Sequence, residues 1–297
     1  MEQRLRPSLP SRTAMAVIAG SFFLAGVLVY GASLRNGFVR FDDNLLIYEN
    51  LNIRAITPHT LWNIFTTYDP ELYIPLTLFS FQIDYLISEI DPAWYHFHNL
   101  VLHICNALLA AWFAMLLLKR RVVALLCGLV FLVHPLHTEA VAWASARKDL
   151  LSAFFFFSAA ITWIRYLDAP SRRRYALTLG VFLAGLLAKV TVLVFPAVAL
   201  LIVWHETGSI RKRDIAATLP FWGLAVLFAI IAAFGKTGVL SATSMTDTAA
   251  MSVKSAMFGL HQFLLPLQLS VIYPYHRDIV PFSAAFVVPL FFMIIVL

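Results

Sequence analysis

Two adjacent acids, Asp42 and Asp43, stand in Phe38-Val39-Arg40-Phe41-Asp42-Asp43-Asn44, directly after an apolar run. Neighbouring carboxylates repel, and partial desolvation favours the protonated form of one of them. A general base has to take up and release a proton near neutral pH, so the pair is a candidate for that work. A capping acid beside a solvated neighbour fits the same residues, and both roles stay open. Further on, His134-Pro135-Leu136-His137-Thr138-Glu139 offers two imidazoles and a carboxylate, a set able to hold zinc with one position free. The spacing departs from the His-Glu-x-x-His pattern of helical zinc sites, and Pro135 interrupts the helix. No metal ligand set is assigned; a divalent ion, if used, would draw on Asp43, His137 and Glu139. Arg147 and Lys148 follow. Two cations side by side suit a phosphate, with arginine able to grip it bidentately. Lipid headgroup contact is the competing role.

A polar stripe precedes them. His96, Asn99, His103 and Asn106 recur at helical spacing within an otherwise apolar stretch. Polar groups inside a membrane span normally face the protein interior, as interhelical hydrogen bonds or as part of a site. His103 and Asn106 are read as helix-to-helix contacts, and His96, nearer the mouth, as a site residue.

These residues have to be positioned by membrane helices. Of 297 residues, 61% are hydrophobic and only 13% charged, and 25 are Phe. Soluble domains are about half apolar and about a quarter charged, so the surplus must face lipid. A soluble enzyme, a disordered chain and a disulfide-stapled module are excluded; the two cysteines, Cys105 and Cys127, lie inside apolar runs. Runs able to span a bilayer fall near 14–34, 100–118, 122–140, 150–167, 175–188, 190–205, 216–234 and 282–297. The first is too long, and too poor in a cleavage signal, for a removed signal peptide. The last stops at Leu297 in mid-run, as a chain cut within a longer protein would.

Basic clusters at Arg4, Arg6 and Arg12, at Lys119-Arg120-Arg121, at Arg172-Arg173-Arg174 and at Arg211-Lys212-Arg213 separate the runs. With the N-terminus in the cytoplasm, all of them fall on the cytoplasmic side. The net charge of +6 is therefore a topology signal and does not point to nucleic acid. The opposite face receives three polar loops, near 35–98, 134–149 and 235–281. Within the first, 56–67 begins with Thr57 as a cap and Pro58 at the first helical position. In 75–90, Leu76, Phe79, Ile83, Leu86 and Ile90 share a face. Both segments are expected to lie as amphipathic helices in the interface plane. The expected fold is an all-α polytopic membrane protein, one domain of about eight transmembrane helices.

The order of these motifs resembles a known family. Asn36-Gly37-Phe38 leads to Asp42-Asp43, followed by Tyr73-Ile74-Pro75-Leu76-Thr77 and by Tyr95-His96 through Asn106. His134 to Glu139 with Trp143 and Arg147-Lys148-Asp149 comes next, then Lys189 and Leu269-Ser270 through Tyr273-Pro274-Tyr275. This is similar to bacterial membrane proteins with tetratricopeptide repeats and to the transmembrane and tetratricopeptide-repeat O-mannosyltransferases of animals, of the GT-C class. The resemblance implies a GT-C-like bundle in the bacterial inner membrane, with its site on the periplasmic face. It implies an inverting glycosyltransferase that moves a sugar from a polyprenyl-phosphate carrier to an acceptor, a protein Ser/Thr hydroxyl among the possibilities. The base then falls on Asp42 or Asp43. Arg147, Lys148, Lys189 and Arg277 would meet the donor phosphate, and Tyr73, His96, His134, His137, Glu139 and Tyr273 would line the substrate pocket. The repeats usual in such proteins are absent, which leaves the acceptor open. A lipid-linked sugar transporter or flippase, or a scaffold without turnover, are the competing classes. A transporter would concentrate polar groups near the bilayer midplane, where only His103 and Asn106 qualify.

Overall fold

The computed structural model describes residues 11–235, 245–267, 269, 270 and 273. The chain divides into two compact units, Met1–Gly235 and Lys236–Leu297. Every regular element described in the first unit is helical: α1 (Arg12–Tyr30), α2 (Pro58–Thr66), α3 (Pro75–Ser88), α4 (Pro92–Leu118), α5 (Arg121–Val133), α6 (Thr138–Ala142), α7 (Arg147–Asp168), α8 (Arg172–Ala188), α9 (Phe195–Thr207) and α10 (Lys212–Gly235). The second unit contributes a helix over Met245–Leu264. Five stretches are long and apolar enough to cross a membrane: Arg12–Arg35, Pro92–Leu118, Ala144–Asp168, Val190–Thr207 and Lys212–Gly235. The protein is an all-α polytopic membrane protein. The run at 282–297 lies outside the described residues.

Two expected boundaries move. The run at 122–140 is not one straight helix: α5 stops at Val133, and the chain bends by 48° before Pro135–Ala142. Pro135 supplies the reason, since it lacks an N–H and disfavours helical backbone at the residue before it. Accordingly His134 is extended, with φ −67° and ψ 128°. The second span begins earlier than expected, at Pro92, where the Asp91 carboxylate caps the helix by accepting the Ala93 N–H at 3.1 Å. This places Tyr95, His96 and His98 on α4 itself.

α4 is the central strut. It packs against α1, α5 and α7. The tightest approach is at Gly128 of α5, where an added Cβ would stand 2.6 Å from Ala111 Cβ and 2.8 Å from the Ala107 carbonyl. Small residues at such crossings let membrane helices close on one another. A second core, rich in aromatic rings, joins α7, α8, α9 and α10 around Trp163, Phe182, Phe195 and Phe221.

The first polar loop has a core of its own. Leu46, Ile47, Ile53 and Ile64 bury together with Ile74, Leu78, Phe81 and Tyr95, so the loop is a folded cap on α4. α2 forms as expected, with Thr57 and Thr60 completing a capping box behind Pro58. α3 presents an apolar face outward and a largely polar face to the protein. Ile83, Leu86 and Ile87 are exposed, while Thr77, Leu78, Phe81, Gln82 and Asp84 are buried. Thr77 Oγ1 donates to the Ala188 carbonyl at 3.0 Å, fixing α3 to the end of α8.

The ends of the bundle differ in character. At one end Lys119 pairs with Glu206 at 3.8 Å, and Tyr175 donates to the Ala217 carbonyl at 2.9 Å. The basic triplets at 119–121, 172–174 and 211–213 start or join helices at this end. The opposite end gathers Asp42, Asp43, Asp84, Arg147, Lys148, Asp149 and Lys189, where the expected site lies.

Candidate active site

The two neighbouring acids do different work. Asp43 is buried, and its carboxylate accepts the Val39 N–H and the Ser145 N–H, each at 2.9 Å. It therefore ties the chain after α1 to the turn before α7. Asp42 keeps 36% of its side chain exposed and pairs through Oδ2 with Lys148 Nζ at 2.9 Å. A π-helical turn, Asn44–Tyr48, follows directly and holds the pair at the start of the cap. Such turns are rare and occur often at functional sites.

Lys148 is nearly buried, and its ammonium also lies 5.4 Å from the centre of the Trp143 ring. Trp143 in turn packs on Phe41 at 5.6 Å. On the next residue of α7, Asp149 pairs with Lys189, which sits in extended backbone between α8 and the 3-10 turn Val190–Val194. Two lysines are thus held at one end of the bundle, each by a half-exposed carboxylate. A phosphate entering here would meet both lysines on the side of their half-exposed carboxylates.

Arg147 is the centre of a buried network. Its guanidinium is fully buried, and three of its nitrogens are bonded within the protein. Nε donates to Asn99 Oδ1 at 2.7 Å, Nη2 donates to the Tyr95 carbonyl at 2.9 Å, and Nη1 pairs with Asp84. The rings of Phe81 and Tyr95 flank it at 5.0 and 5.9 Å. Asp84 also accepts from Trp94 Nε1 at 3.2 Å and meets His98 Nδ1 at 2.7 Å. In this conformation Arg147 joins α3, α4 and α7. Asn99 extends the network by donating to the carbonyls of Trp143 and Ala144 at 3.0 and 3.2 Å. Asp84 is the residue that sequence reasoning missed. An acid on an apolar helix is costly unless it is paired, and that cost was the available signal.

The expected pocket residues separate into groups. His96 is buried within electrostatic reach of Asp43. His134 and His137 meet edge to face with ring centres 6.2 Å apart, and the His137 ring centre lies 5.2 Å from that of His103 and 4.3 Å from that of Phe131. Glu139 is exposed in the first turn of α6. Tyr73 belongs to a different cluster: its hydroxyl donates to the Phe65 carbonyl at 3.0 Å, and its ring packs on Tyr68 and Phe228. Burial, and then the neighbouring Tyr68, raise its pKa. Tyr273 lies in the second unit, where its hydroxyl accepts the Ser270 N–H at 2.8 Å. Arg277 lies outside the described residues. Among the described residues, no group of three or more His, Cys, Asp or Glu side chains is gathered as a metal would need. Asp43, His137 and Glu139 do not form such a set.

Beside the Asp149–Lys189 pair lies a cavity of about 280 Å³ between α4, the His137 turn and α7. His137 is the member of the expected pocket that lines it. A larger, open depression of about 530 Å³ lies at the opposite, basic end against Tyr166, Arg172 and Tyr175, away from the Asp42–Lys148 and Asp149–Lys189 pairs.

The chain is 34% identical over 178 residues to protein O-mannosyl-transferase TMTC1 of Mus musculus, covering 56% of this chain and 18% of the mouse protein. It is 31% identical over 232 residues to protein O-mannosyl-transferase TMTC2 of Homo sapiens, covering 68% of this chain and 27% of the human protein. The Drosophila melanogaster Tmtc1 protein matches at 33% over 197 residues, covering 63% of this chain and 23% of its own length. The chain is a relative of the TMTC protein O-mannosyl-transferases. It spans less than a third of the length of these TMTC proteins. No family model matches the chain, and no solved structure matches it.

Proposed function

We propose that this chain carries the membrane-embedded site of a glycosyltransferase that moves a sugar from a polyprenyl-phosphate carrier to a protein hydroxyl, at the outer face of a bacterial inner membrane. The observation that carries the reading is the Asp42–Lys148 pair: a half-exposed carboxylate 2.9 Å from a nearly buried ammonium, in a chain related to protein O-mannosyl-transferases.

The chemistry assigned to the pair is direct displacement. The acceptor oxygen forms a bond to the anomeric carbon of the sugar as the bond from that carbon to the phosphate oxygen breaks. The acceptor proton passes to the Asp42 carboxylate, and the carrier leaves as polyprenyl phosphate. Attack opposite the leaving group inverts the anomeric centre. Lys148 and Lys189 offer positive charge to the departing phosphate, and charge stabilisation of this kind is usually the largest catalytic contribution. In this scheme the donor phosphate draws Lys148 from Asp42, so donor binding readies the base. Arg147 acts as a positioning residue that holds α7, and with it Lys148, against the cap.

The test is sugar transfer by the purified chain in lipid nanodiscs, with a polyprenyl-phosphate sugar and a Ser/Thr peptide. Transfer that falls about a hundredfold or more in Asp42→Asn, typical of a lost general base, with donor affinity retained, supports the assignment. Near-normal transfer by that variant moves the base elsewhere, to Glu139 first. Lipid-linked sugar crossing the bilayer without transfer would favour a flippase.

A further inference from the structure

The end of the bundle that carries the basic triplets holds arginines with no work inside the protein. Arg172 and Arg173 are exposed and make no hydrogen bond or ion pair among the described residues. Arg174, beside them, is engaged: its Nη1 donates to the Ala169 carbonyl at 2.7 Å and to the Arg165 carbonyl at 3.3 Å, closing the end of α7. On α10, Arg213 is 74% exposed and lies 3.6 Å from Asp214, an ion pair too open to hold it.

Arg172 lines the open depression between α7, α8 and α10, together with Tyr166, Pro170, Ser171, Tyr175 and Ala217. Arg213 precedes Ala217 by four residues on α10, so a second guanidinium stands on the same helix face, one turn from the lining. Two other polar groups of the lining are already matched. Ser171 Oγ accepts the Arg174 N–H at 3.3 Å, and the Tyr175 hydroxyl donates to the Ala217 carbonyl at 2.9 Å. The lining contains no acid; Asp168 and Asp214 flank it from outside. The span Ala144–Asp168 ends at this level and Lys212–Gly235 begins, which sets the depression at the depth of lipid headgroups. Leu177 on α8 and Leu219 on α10, each two residues beyond a lining residue, are exposed, as side chains that meet acyl chains are.

These features fix the chemistry of an occupant. It brings negative charge for the guanidinium groups and an apolar body that continues along the helices. It brings no cation, because the lining has no carboxylate to pair with one. A soluble phosphate lacks the apolar body, and a phosphocholine head would set its ammonium among arginines. We propose that the depression binds one anionic glycerophospholipid, its phosphate held by Arg172 and Arg213 and its chains lying along α8 and α10. Basic pockets between membrane helices suit such heads, and about 530 Å³ falls within the usual ~300–1,000 Å³ of small-molecule sites. The lipid braces the joint that the Tyr175–Ala217 bond closes. The inference is independent of the glycosyltransferase reading and of the leaflet this end faces.

Native mass spectrometry of the full chain in detergent micelles, with equal amounts of phosphatidylglycerol and phosphatidylcholine, tests it. Wild type should retain one phosphatidylglycerol, favoured about tenfold over phosphatidylcholine. Arg172→Gln and Arg213→Gln should each lower that preference about fivefold, the share expected of one arginine near a lipid phosphate. Ala217→Leu fills the depression, leaves every charge in place and should also release the lipid. Arg120→Gln removes an exposed arginine between α4 and α5 and should change nothing. An equal loss in Arg120→Gln and Arg172→Gln would reduce the preference to the general field of the basic end and overturn the site. A preference that survives Ala217→Leu overturns it too, as does the absence of any preference in wild type. Displacement of the lipid by millimolar inorganic phosphate at constant ionic strength would make this a site for a soluble anion and overturn the lipid assignment. Should Ala217→Leu fail to fold, the comparison of Arg172→Gln with Arg120→Gln decides alone.

Discussion

At Asp43 both carboxylate oxygens are filled by backbone N–H groups, while at Asp42 one oxygen faces a lysine and the side chain reaches solvent. The two Asp→Asn variants should therefore fail in different ways. An amide at position 43 offers one acceptor to two donors, the buried Ser145 N–H and the part-buried Val39 N–H, and leaves one unmatched, a cost of about 1–3 kcal/mol when the group is buried. Asp43→Asn should lower the thermal unfolding temperature and reduce transfer in proportion to folded protein, whereas Asp42→Asn should lower transfer about a hundredfold or more with a smaller change in unfolding. Equal unfolding temperatures with equal loss of transfer would place both acids in the chemistry. The sequence showed that an acid pair stood at the mouth; it could not separate the two, because the N–H groups that fill Asp43 come partly from Ser145, about a hundred residues away. A third acid carries a pH effect. Asp69, in the cap, has its pKa raised by burial, which outweighs the hydrogen bond from Asn50. The folded state then binds this proton more tightly than the unfolded chain does, so this group's contribution to stability is greatest at low pH. It is lost as pH rises through the raised value. Asp69→Asn should flatten that loss, and unfolding temperatures of the two proteins across mildly acidic to neutral pH read it directly. An unchanged pH profile would show that Asp69 does not govern it.

Between elements, the decisive joint is the buried Arg147–Asp84 pair, with Asn99 and the Tyr95 carbonyl as further partners. Removing one member of a buried pair strands the other charge, at a cost of about 3–5 kcal/mol, while replacing both by apolar groups of similar size is often close to neutral. Arg147→Met should therefore destabilise strongly, Asp84→Leu likewise, and the double variant should recover most of the loss in unfolding temperature. Additive losses would show that each residue acts through other partners. Most long helices were legible because about twenty apolar residues in a row leave little alternative in a membrane. The inward face of α3 was not. Its apolar residues Ile83, Leu86 and Ile87 are what a soluble helix would bury, yet here they are exposed, and Gln82 and Asp84 turn inward. When the surrounding solvent is lipid, the rule that apolar residues point inward loses its force, and polar spacing becomes the better guide. By that guide the His96, Asn99, His103 and Asn106 stripe was legible, and all four are buried.

For the whole molecule, the question is which end faces outward. The described helices place the basic triplets at one end and the Asp42–Lys148 and Asp149–Lys189 pairs at the other, as the sequence order of the clusters implied. Basic residues near spans are retained on the cytoplasmic side, whereas acids contribute little to orientation. The Asp42–Lys148 end should therefore face away from the cytoplasm, where a lipid-linked sugar would present its head. Single cysteines introduced at Arg121, Arg173 and Glu49 test this in intact cells, since all three positions are exposed. The native Cys105 and Cys127 would first be replaced by Ala, because Cys127 is itself exposed on α5. An impermeant thiol reagent should label the cysteine at position 49 and leave those at 121 and 173 unlabelled until the membrane is opened. Because 121 and 173 join different helix pairs, agreement between them checks the number of crossings between α5 and α8 as well as the orientation. Labelling at 121 and 173 with protection at 49 would invert the molecule and put the acid–lysine pairs on the cytoplasmic side, and with them the assignment to outward-facing transfer would fall. Labelling at only one of the two would mean an odd number of crossings between them, so that the bent stretch from Arg121 to Ala142 enters and leaves on the same side.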